Sequence, residues 1–478
     1  MLTINDLPDD VLLAIFDFYV VRYQDLDFSE LRVSVCDAKA RIESWQSLVH
    51  VSRRWRGLVF GSPRRLNLQL FFIPGVSSRK TVDVWPAFPL LIHGGSISEA
   101  SVDDIIAELE HSDRICEIDI GGRPNPQIEK LWTAMQMPFP ELAGLYLSFR
   151  GLGVPTLPDS FLGGSAPRLE SLSLTSVPFP ALPKLLLSVT HLVYLRLSNI
   201  PHSGYISPEA MATCLSALTS LKSFQVRFNS PQSSPDQESR HSRPPTRSIL
   251  PVLEVFSFKG VNEYLEELVA WIDTPRLRLL SATFFNDIDF DTQELIRFVS
   301  HSSILKAPNE AYVFFDSRTA SVKLRPQVSI REYFQVIITC REPVWQLSSL
   351  AQICTTSFPL LSTTENLFIC EQYDLQLDWE DNIENIQWLE LLLPFTAVKN
   401  LYLSKQFVPR VASALQEIVG DGTTTVLSTL QNLYLEGFEP SESLQEDIER
   451  FVSARQLTNH PVSISVWEKE SKQWAFYD

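Results

Sequence analysis

A short apolar pattern recurs along most of the chain. It reads Leu-x-x-Leu-x-Leu, in which other apolar residues can replace leucine. Clear copies begin at residues 115, 142, 169, 192, 221, 253, 277, 398 and 430. Weaker copies begin at 87, 304, 334 and 364, and the starts follow one another at a mean interval of about 29 residues, which is typical of structural repeats. The alternation that ends each copy predicts a short, half-buried β-strand.

Between these strands lie stretches with apolar residues at helical spacing. Leu265, Leu268, Val269 and Ile272 are one example. The predicted helices span residues 103–109, 127–135, 208–218, 264–272, 293–299, 344–353, 386–393, 411–418 and 444–452. A strand followed by a helix in every unit predicts parallel strands, with the helices packed against one face of the sheet.

The repeat length and the leucine spacing resemble those of the leucine-rich repeat superfamily in a divergent form. The family's asparagine after the strand is mostly missing, although Asn199 falls close to that position. The resemblance implies an α/β solenoid over residues 87–478, with a concave parallel sheet and convex helices. A polar, proline-rich stretch at residues 229–248 is expected to be a disordered loop within it. A non-repetitive α/β domain built from βαβ units remains an alternative.

Two amphipathic stretches precede the repeats. In the first, Asn5 or Asp6 can cap a helix that begins at Pro8. Its apolar positions are Val11, Leu12, Ile15 and Phe16, and those of the second stretch are Leu48, Val51, Trp55 and Leu58. Two short helices cannot bury both sets within one small domain, so we expect another element or another chain to cover part of them.

The order of these features resembles an F-box: Leu7-Pro8, then an amphipathic helix, then Val51-Ser52-x-x-Trp55. The resemblance implies an all-helical F-box at residues 1–62, with an insertion near 21–44, and a connecting segment at 63–86. It further implies that this domain binds a Skp adaptor and, through it, a cullin scaffold. The implied adaptor-binding residues are Leu7, Pro8, Val11, Leu12, Ile15, Phe16, Leu48, Val51 and Trp55. We expect Leu12, Phe16 and Trp55 to face the adaptor; alternatively, these helices cap the repeats of their own chain.

The positions between the core leucines point to the opposite face of a strand. At these positions the chain has Tyr146, Tyr194, Arg196, Arg227, Lys259, Phe368, Tyr402 and Tyr434. Tyrosine and arginine are enriched at the energetic centres of interfaces, which predicts a concave surface that binds a protein substrate. Tyrosine also suits a half-buried pleat, so this second interpretation stays open.

The net charge of the chain bears on the chemical class of the partner. The chain has 478 residues and a formal net charge of −17. The first 80 residues hold nearly equal numbers of acidic and basic residues, so the excess of acid lies in the repeats. This argues against nucleic acid and mildly favours a basic partner, although solubility alone also explains it. An acidic stretch at residues 371–390, around Trp379 and Trp388, is either a solvated face or a docking site for such a partner.

The remaining features favour a binding protein rather than an enzyme. No apolar run is long enough to span a membrane, and we expect a soluble protein of the cytoplasm or nucleus. The six cysteines lack metal-ligand spacing, and no nucleophile, phosphate-loop or metalloprotease motif occurs, so no cofactor is expected. The leading hypothesis is a non-catalytic substrate receptor of a cullin ubiquitin ligase. The alternative is a leucine-rich repeat scaffold without a ubiquitin role.

Overall fold

The computed structural model divides the chain into two compact units, Met1–Gly204 and Tyr205–Asp478. It describes residues 4–20, 35–63, 65–75, 85, 88–95, 99–151, 153–231, 247–285, 292–301, 308–326, 332–357, 359–372, 384–420, 426–437, 442–457 and 460–468. Most of the predicted insertion, of the predicted loop and of the acidic stretch therefore lies outside the described residues.

The first unit begins with helices. They are α1 (Asp9–Tyr19), α2 (Val35–Ile42), α3 (Gln46–Val49) and α4 (Arg53–Gly61), with 3-10 turns at Ile4–Asp6 and Glu43–Trp45. The predicted cap is wrong, because Pro8 itself is the N-cap of α1 and no side chain caps the helix. Helix α4 does have a side-chain cap, since the Ser52 hydroxyl accepts a hydrogen bond from the Trp55 amide.

A parallel sheet follows in the first unit. Its described strands, in spatial order, are β1 (Leu70–Phe72), β2 (Leu90–Gly94), β3 (Ile115–Gly122), β4 (Gly144–Phe149), β5 (Ser171–Thr175) and β6 (Tyr194–Ile200). Helices α5 (Glu99–Leu109), α6 (Ile128–Ala134) and α7 (Leu182–Leu186) lie in the connections. Leu145, Leu172 and Leu195 are register partners and are buried, which confirms the predicted repeat. Strand β1 extends the sheet into the segment predicted to be a connection.

The second unit continues the alternation of strands and helices. Its described strands are β7 (Ser223–Phe228), β8 (Ser248–Ile249), β9 (Val255–Gly260), β10 (Ile272–Asp273), β11 (Leu279–Phe285), β12 (Glu310–Phe315), β13 (Thr319–Arg325), β14 (Tyr333–Thr339), β15 (Asn366–Glu371), β16 (Asn400–Leu403), β17 (Asn432–Glu436) and β18 (Ser463–Trp467). Its described helices are α8 (Pro208–Ala217), α9 (Asn262–Trp271), α10 (Gln293–His301), α11 (Pro343–Ser357), α12 (Asn385–Leu392), α13 (Val408–Gly420) and α14 (Glu442–Leu457). All nine predicted helices of the repeats are present across the two units.

The sheet of the second unit departs from the predicted all-parallel arrangement. Its order is β7-β9-β11-β14-β13-β12-β15-β16-β17-β18, and β13 runs antiparallel to both of its neighbours. The turn between β12 and β13 is stabilised by Asp316, whose Oδ1 accepts hydrogen bonds from the amides of Arg318 and Thr319. The weak copy at 304 lies mostly outside the described residues. In β14 the buried apolar residues are Phe334, Val336 and Ile338, so the pattern read from 334 gave the wrong register.

The core lies between each sheet and its helices. Tyr264 of α9, for instance, packs against Phe228 and Phe258, at 4.8 and 5.8 Å between ring centroids. Because side chains alternate along a strand, the residues between these core positions point to the other face of the sheet. We call it the open face.

None of the helices within the described ranges combines the length and the apolar content that membrane crossing requires.

Candidate protein-binding surfaces

Helix α1 has two different apolar faces. Phe16 is completely buried, and its ring lies 4.7 Å from that of Trp55 on α4. Leu12 and Leu13 are buried beside it. On the other face, Val11 and Ile15 are exposed, and Phe18 is 94% exposed. One face of α1 thus belongs to the chain's own core, and the other remains open among the described residues.

This burial corrects part of the predicted adaptor site. Leu12, Phe16, Leu48 and Trp55 are all buried within the first unit, so they cannot contact another chain in this structure. The physical reason is that α1 and α4 are held together by Phe16 and Trp55 and are also joined by an ion pair, in which Arg54 Nη2 lies 2.5 Å from Asp9 Oδ1. Of the predicted residues, Pro8, Val11, Ile15 and Val51 are exposed and Leu7 is half-buried.

The other N-terminal helices pack against the sheet. The buried Trp45 ring lies 5.2 Å from both Trp85 and Phe88, and its Nε1 donates a hydrogen bond to the Gln69 carbonyl oxygen. The Glu43 carboxylate accepts a hydrogen bond from the Phe71 amide in β1. These contacts agree with the alternative in which the N-terminal helices cap the repeats.

All eight residues predicted for the concave surface lie on the open face of their own sheet. In the first unit, Tyr146 is half-buried, while Tyr194 and Arg196 are exposed. In the second unit, Arg227 and Lys259 are register partners on β7 and β9. The remaining three are Phe368, Tyr402 and Tyr434, on three successive strands. Their contact with a substrate stays a prediction.

The open face of the first unit also carries acidic groups that the sequence analysis missed. His93 Nδ1 lies 3.0 Å from Asp119 Oδ2, and Glu117 lies on the same strand as Asp119. Burial, and then repulsion from Asp119, raise the pKa of Glu117 from 4.5 to about 8. Within the described residues, Glu117 Oε1 is buried and has no hydrogen-bond partner. The raised pKa favours the protonated form of this carboxyl group at neutral pH.

An aromatic ladder crosses the open face of the second unit. Tyr312, Phe368, Tyr402 and Tyr434 are stacked on neighbouring strands, with centroid separations of 4.6, 4.2 and 4.4 Å. Trp467 meets the edge of Tyr402 at 5.6 Å and donates a hydrogen bond to the carbonyl oxygen of Leu403. Rings stacked in this way keep one another in place. Tyr312 is buried, whereas Phe368, Tyr402 and Tyr434 are half-buried.

An amide ladder runs beside the aromatic one, and the sequence analysis missed it. The side-chain amide of Asn400 donates to Asn366 at 2.7 Å, and that of Asn432 donates to Asn400 at 2.8 Å. The Ser463 hydroxyl donates to Asn432 at the end of the row. The signal was present in the sequence, because Asn-Leu followed by an aromatic residue recurs at 366, 400 and 432.

A cavity of about 510 Å³ opens where β14 ends and α11 begins. It is lined by Arg318, Ile338, Thr339, Cys340, Arg341, Glu342, Trp345 and Ser349. Within the part of the chain that the structure describes, no group of three or more His, Cys, Asp or Glu side chains is arranged to hold a metal ion.

Comparisons with known proteins give little beyond these observations. No protein-family model matches the chain, and no curated protein matches it. Among solved structures, the chain is similar to the leucine-rich repeat-containing protein LegL7 from Legionella pneumophila, at 12% identity over 76% of this chain and 96% of LegL7. The TM-score is 0.30, which is too low to show a shared fold. Repeats are indicated instead by the strand register and by the burial of the core leucines.

The two faces of α1 predict different mutational effects. Phe16→Ala removes a fully buried ring that contacts Trp55, so we expect the first unit to lose about 3–5 kcal/mol of unfolding free energy. Phe18→Ala, on the same helix, should change it by less than about 0.5 kcal/mol, because Phe18 is exposed. Urea unfolding followed by tryptophan fluorescence measures both. Equal effects of the two substitutions would contradict the observed burial.

The raised pKa of Glu117 predicts a pH-dependent stability. The folded chain keeps a proton that the unfolded chain releases, so the unfolding free energy should fall as pH rises from 4.5 through about 8. Glu117→Gln stays neutral, so this variant should be more stable than the parent at pH 8 and similar to it at pH 4.5. Urea unfolding at the two pH values tests this, with Glu129→Gln on the exposed surface of α6 as control. A parent and a Glu117→Gln variant with the same pH dependence would refute it.

Proposed function

We propose that this chain is a non-catalytic receptor. In this proposal, repeats of the leucine-rich type bind another protein, and the N-terminal helices bind a Skp-type adaptor of a cullin ubiquitin ligase. The observation that carries the proposal is the exposed apolar stripe on α1. Val11, Ile15, Phe18 and Tyr19 follow the spacing i, i+4, i+7, i+8, and all four are exposed.

The stripe supports a docking role because its exposure is unfavourable in isolation. Transfer of apolar surface out of water contributes about 25 cal/mol per Å², so a partner that covers Phe18 and its neighbours gains binding energy. Large apolar residues grouped on one face are typical of interaction sites. Ile4 and Val51, also exposed, add to the apolar surface of the N-terminal region.

The buried residues of the F-box-like motif have a different role in this proposal. Leu12, Phe16 and Trp55 hold α1 and α4 together, and this fixes the orientation of the exposed stripe. A rigid helix pair loses less conformational entropy on binding than a flexible segment does. The revised adaptor-binding set is Leu7, Pro8, Val11, Ile15, Phe18, Tyr19 and Val51.

The open face of the sheets is the surface proposed for the second partner. Tyr194 is more than half exposed, and the stacked rings of the aromatic ladder form a flat, fixed surface. Rigid aromatic side chains bind with little loss of conformational entropy.

In a cullin ligase the receptor needs no catalytic residue, since it contributes by bringing the substrate close to the ubiquitin donor. The proposal includes a location in the cytoplasm or nucleus.

A repeat scaffold without a ubiquitin role is the competing function. It is favoured by the contacts of Trp45 with Trp85 and Phe88, through which the N-terminal helices cap the sheet. Both functions can use the same open face, and they differ in what binds the exposed stripe of α1.

Adaptor binding separates the two functions. We expect the purified chain and a Skp adaptor to form a one-to-one complex in size-exclusion chromatography and calorimetry. Ile15→Asp combined with Phe18→Asp should weaken it by about a hundredfold, because two carboxylates would enter an apolar interface. The control is Ile249→Asp combined with Leu457→Asp, two exposed apolar residues of the second unit, and it should bind as the parent does.

The adaptor proposal fails if the parent chain forms no complex. It also fails if the Ile15→Asp/Phe18→Asp variant binds as tightly as the control variant.

A further inference from the structure

A row of uncharged polar side chains crosses part of the open face in the second unit. Gln225, Ser257, Ser281 and Gln335 are register partners on β7, β9, β11 and β14. We call these four residues the polar row. The Gln335 side chain is buried and donates to the Ser321 hydroxyl at 3.5 Å, whereas Gln225, Ser257 and Ser281 are half-buried and bring hydrogen-bonding groups to this face.

Positive charges surround the polar row. Arg227 and Lys259 lie two residues further along β7 and β9 and are register partners of each other. Lys323 on β13 is the register partner of Gln335. Arg325 lies two residues beyond Lys323, and its Nε is paired with Glu310 Oε2 at 2.5 Å. We call Arg227, Lys259, Lys323 and Arg325 the cationic group.

Burial and the closeness of like charges make the charged forms of the two lysines less favourable. Burial, and then repulsion from Arg227, lower the pKa of Lys259. Burial, and then repulsion from Arg325, lower the pKa of Lys323 to about 8. A negative charge placed nearby would offset this repulsion and favour the charged form of both lysines.

Neighbouring rings and hydroxyls position these cations. Lys323 Nζ lies 3.9 Å from the centroid of the Tyr333 ring, and Lys259 Nζ lies 5.3 Å from that of Phe285. Arg227 Nη2 donates to the Ser257 hydroxyl at 3.3 Å. Such contacts reduce the motion of long side chains, so less conformational entropy is lost when an anion binds.

We propose that the polar row and the cationic group bind an acidic, extended segment of the protein partner. This inference rests on the proposed function of the repeats as a protein-binding surface, and it specifies the chemistry of that partner. The net charge of the chain favours a basic partner, but this part of the open face has the opposite local charge.

The length of the segment follows from the sheet geometry. Arg227 on β7 and Lys323 on β13 are four strand spacings apart, which is about 19 Å or about six residues of extended chain. A nucleic acid is a weaker candidate, because its phosphates would extend beyond the cationic group toward a chain with a net charge of −17.

Fluorescence anisotropy with labelled peptides tests the proposal on the full chain. The probe is a peptide of about ten residues in which glutamate and serine alternate, a length that covers the site. Peptides with glutamine or lysine in place of glutamate, and a single-stranded oligonucleotide of equal length, are the comparisons. We expect the glutamate peptide to bind most tightly and to bind more weakly as salt is added.

Matched variants locate the binding. Lys259→Gln combined with Lys323→Gln should weaken binding of the glutamate peptide by about tenfold, the usual effect of losing charge-assisted hydrogen bonds. Lys130→Gln combined with Lys184→Gln removes the same charge from exposed positions on α6 and α7 and should leave binding unchanged.

The inference is overturned if the glutamine or lysine peptide or the oligonucleotide binds more tightly than the glutamate peptide. It is also overturned if the two double variants bind the glutamate peptide equally. The Lys259→Gln/Lys323→Gln variant should keep its adaptor complex, because the stripe on α1 is untouched. Peptide binding without adaptor binding would therefore refute the adaptor function alone, and adaptor binding without peptide binding would refute this inference alone.

Discussion

Burial of every second strand residue against a helix is the interaction on which both units depend. Leu195 is buried in the core of the first unit, while its neighbour Tyr194 points to the open face. In the second unit Phe256 packs on Phe298 of α10, and Ser257 faces the opposite way. Because the core uses only alternate positions, the intervening residues can change without loss of the hydrophobic core. The aromatic ladder, the amide ladder and the cationic group all occupy such positions.

Helix α1 likewise has one face buried in the core and one face exposed. Phe16 stabilises the packing of α1 on α4, and Phe18, two residues later, remains exposed. A binding surface needs a packed core beneath it that fixes its shape. The buried residues of the F-box-like motif therefore stabilise the helix pair, and the exposed residues are those proposed to bind. Contacts of Trp45 and Glu43 with the strand region join the N-terminal helices to the repeats, so the first unit includes both.

The sequence predicted the strands, their register and the helices wherever the leucine pattern was strong, because alternation and helical spacing report directly on burial. It failed at β12 to β14, since an alternating pattern carries no information about strand direction. It could not tell which face of α1 is buried, because both faces are apolar. Lys323 and Arg325 were not predicted as surface residues for a related reason. Their neighbours depend on the order β14, β13, β12 in the sheet, which is the reverse of the order in the sequence. The Asn-Leu-aromatic motif was readable but was not used.

Hydroxyl-radical footprinting of the intact chain, with oxidation measured residue by residue, tests the central claim most directly. The account predicts fast oxidation of Phe18 and Tyr194 and strong protection of Phe16 and Phe256. Phe18 and Phe16 lie on the same helix, and Tyr194 and Phe256 both lie on strands, but only the first of each pair is exposed. Oxidation of Phe16 as fast as that of Phe18, or protection of Tyr194 equal to that of Phe256 in the isolated chain, would contradict it.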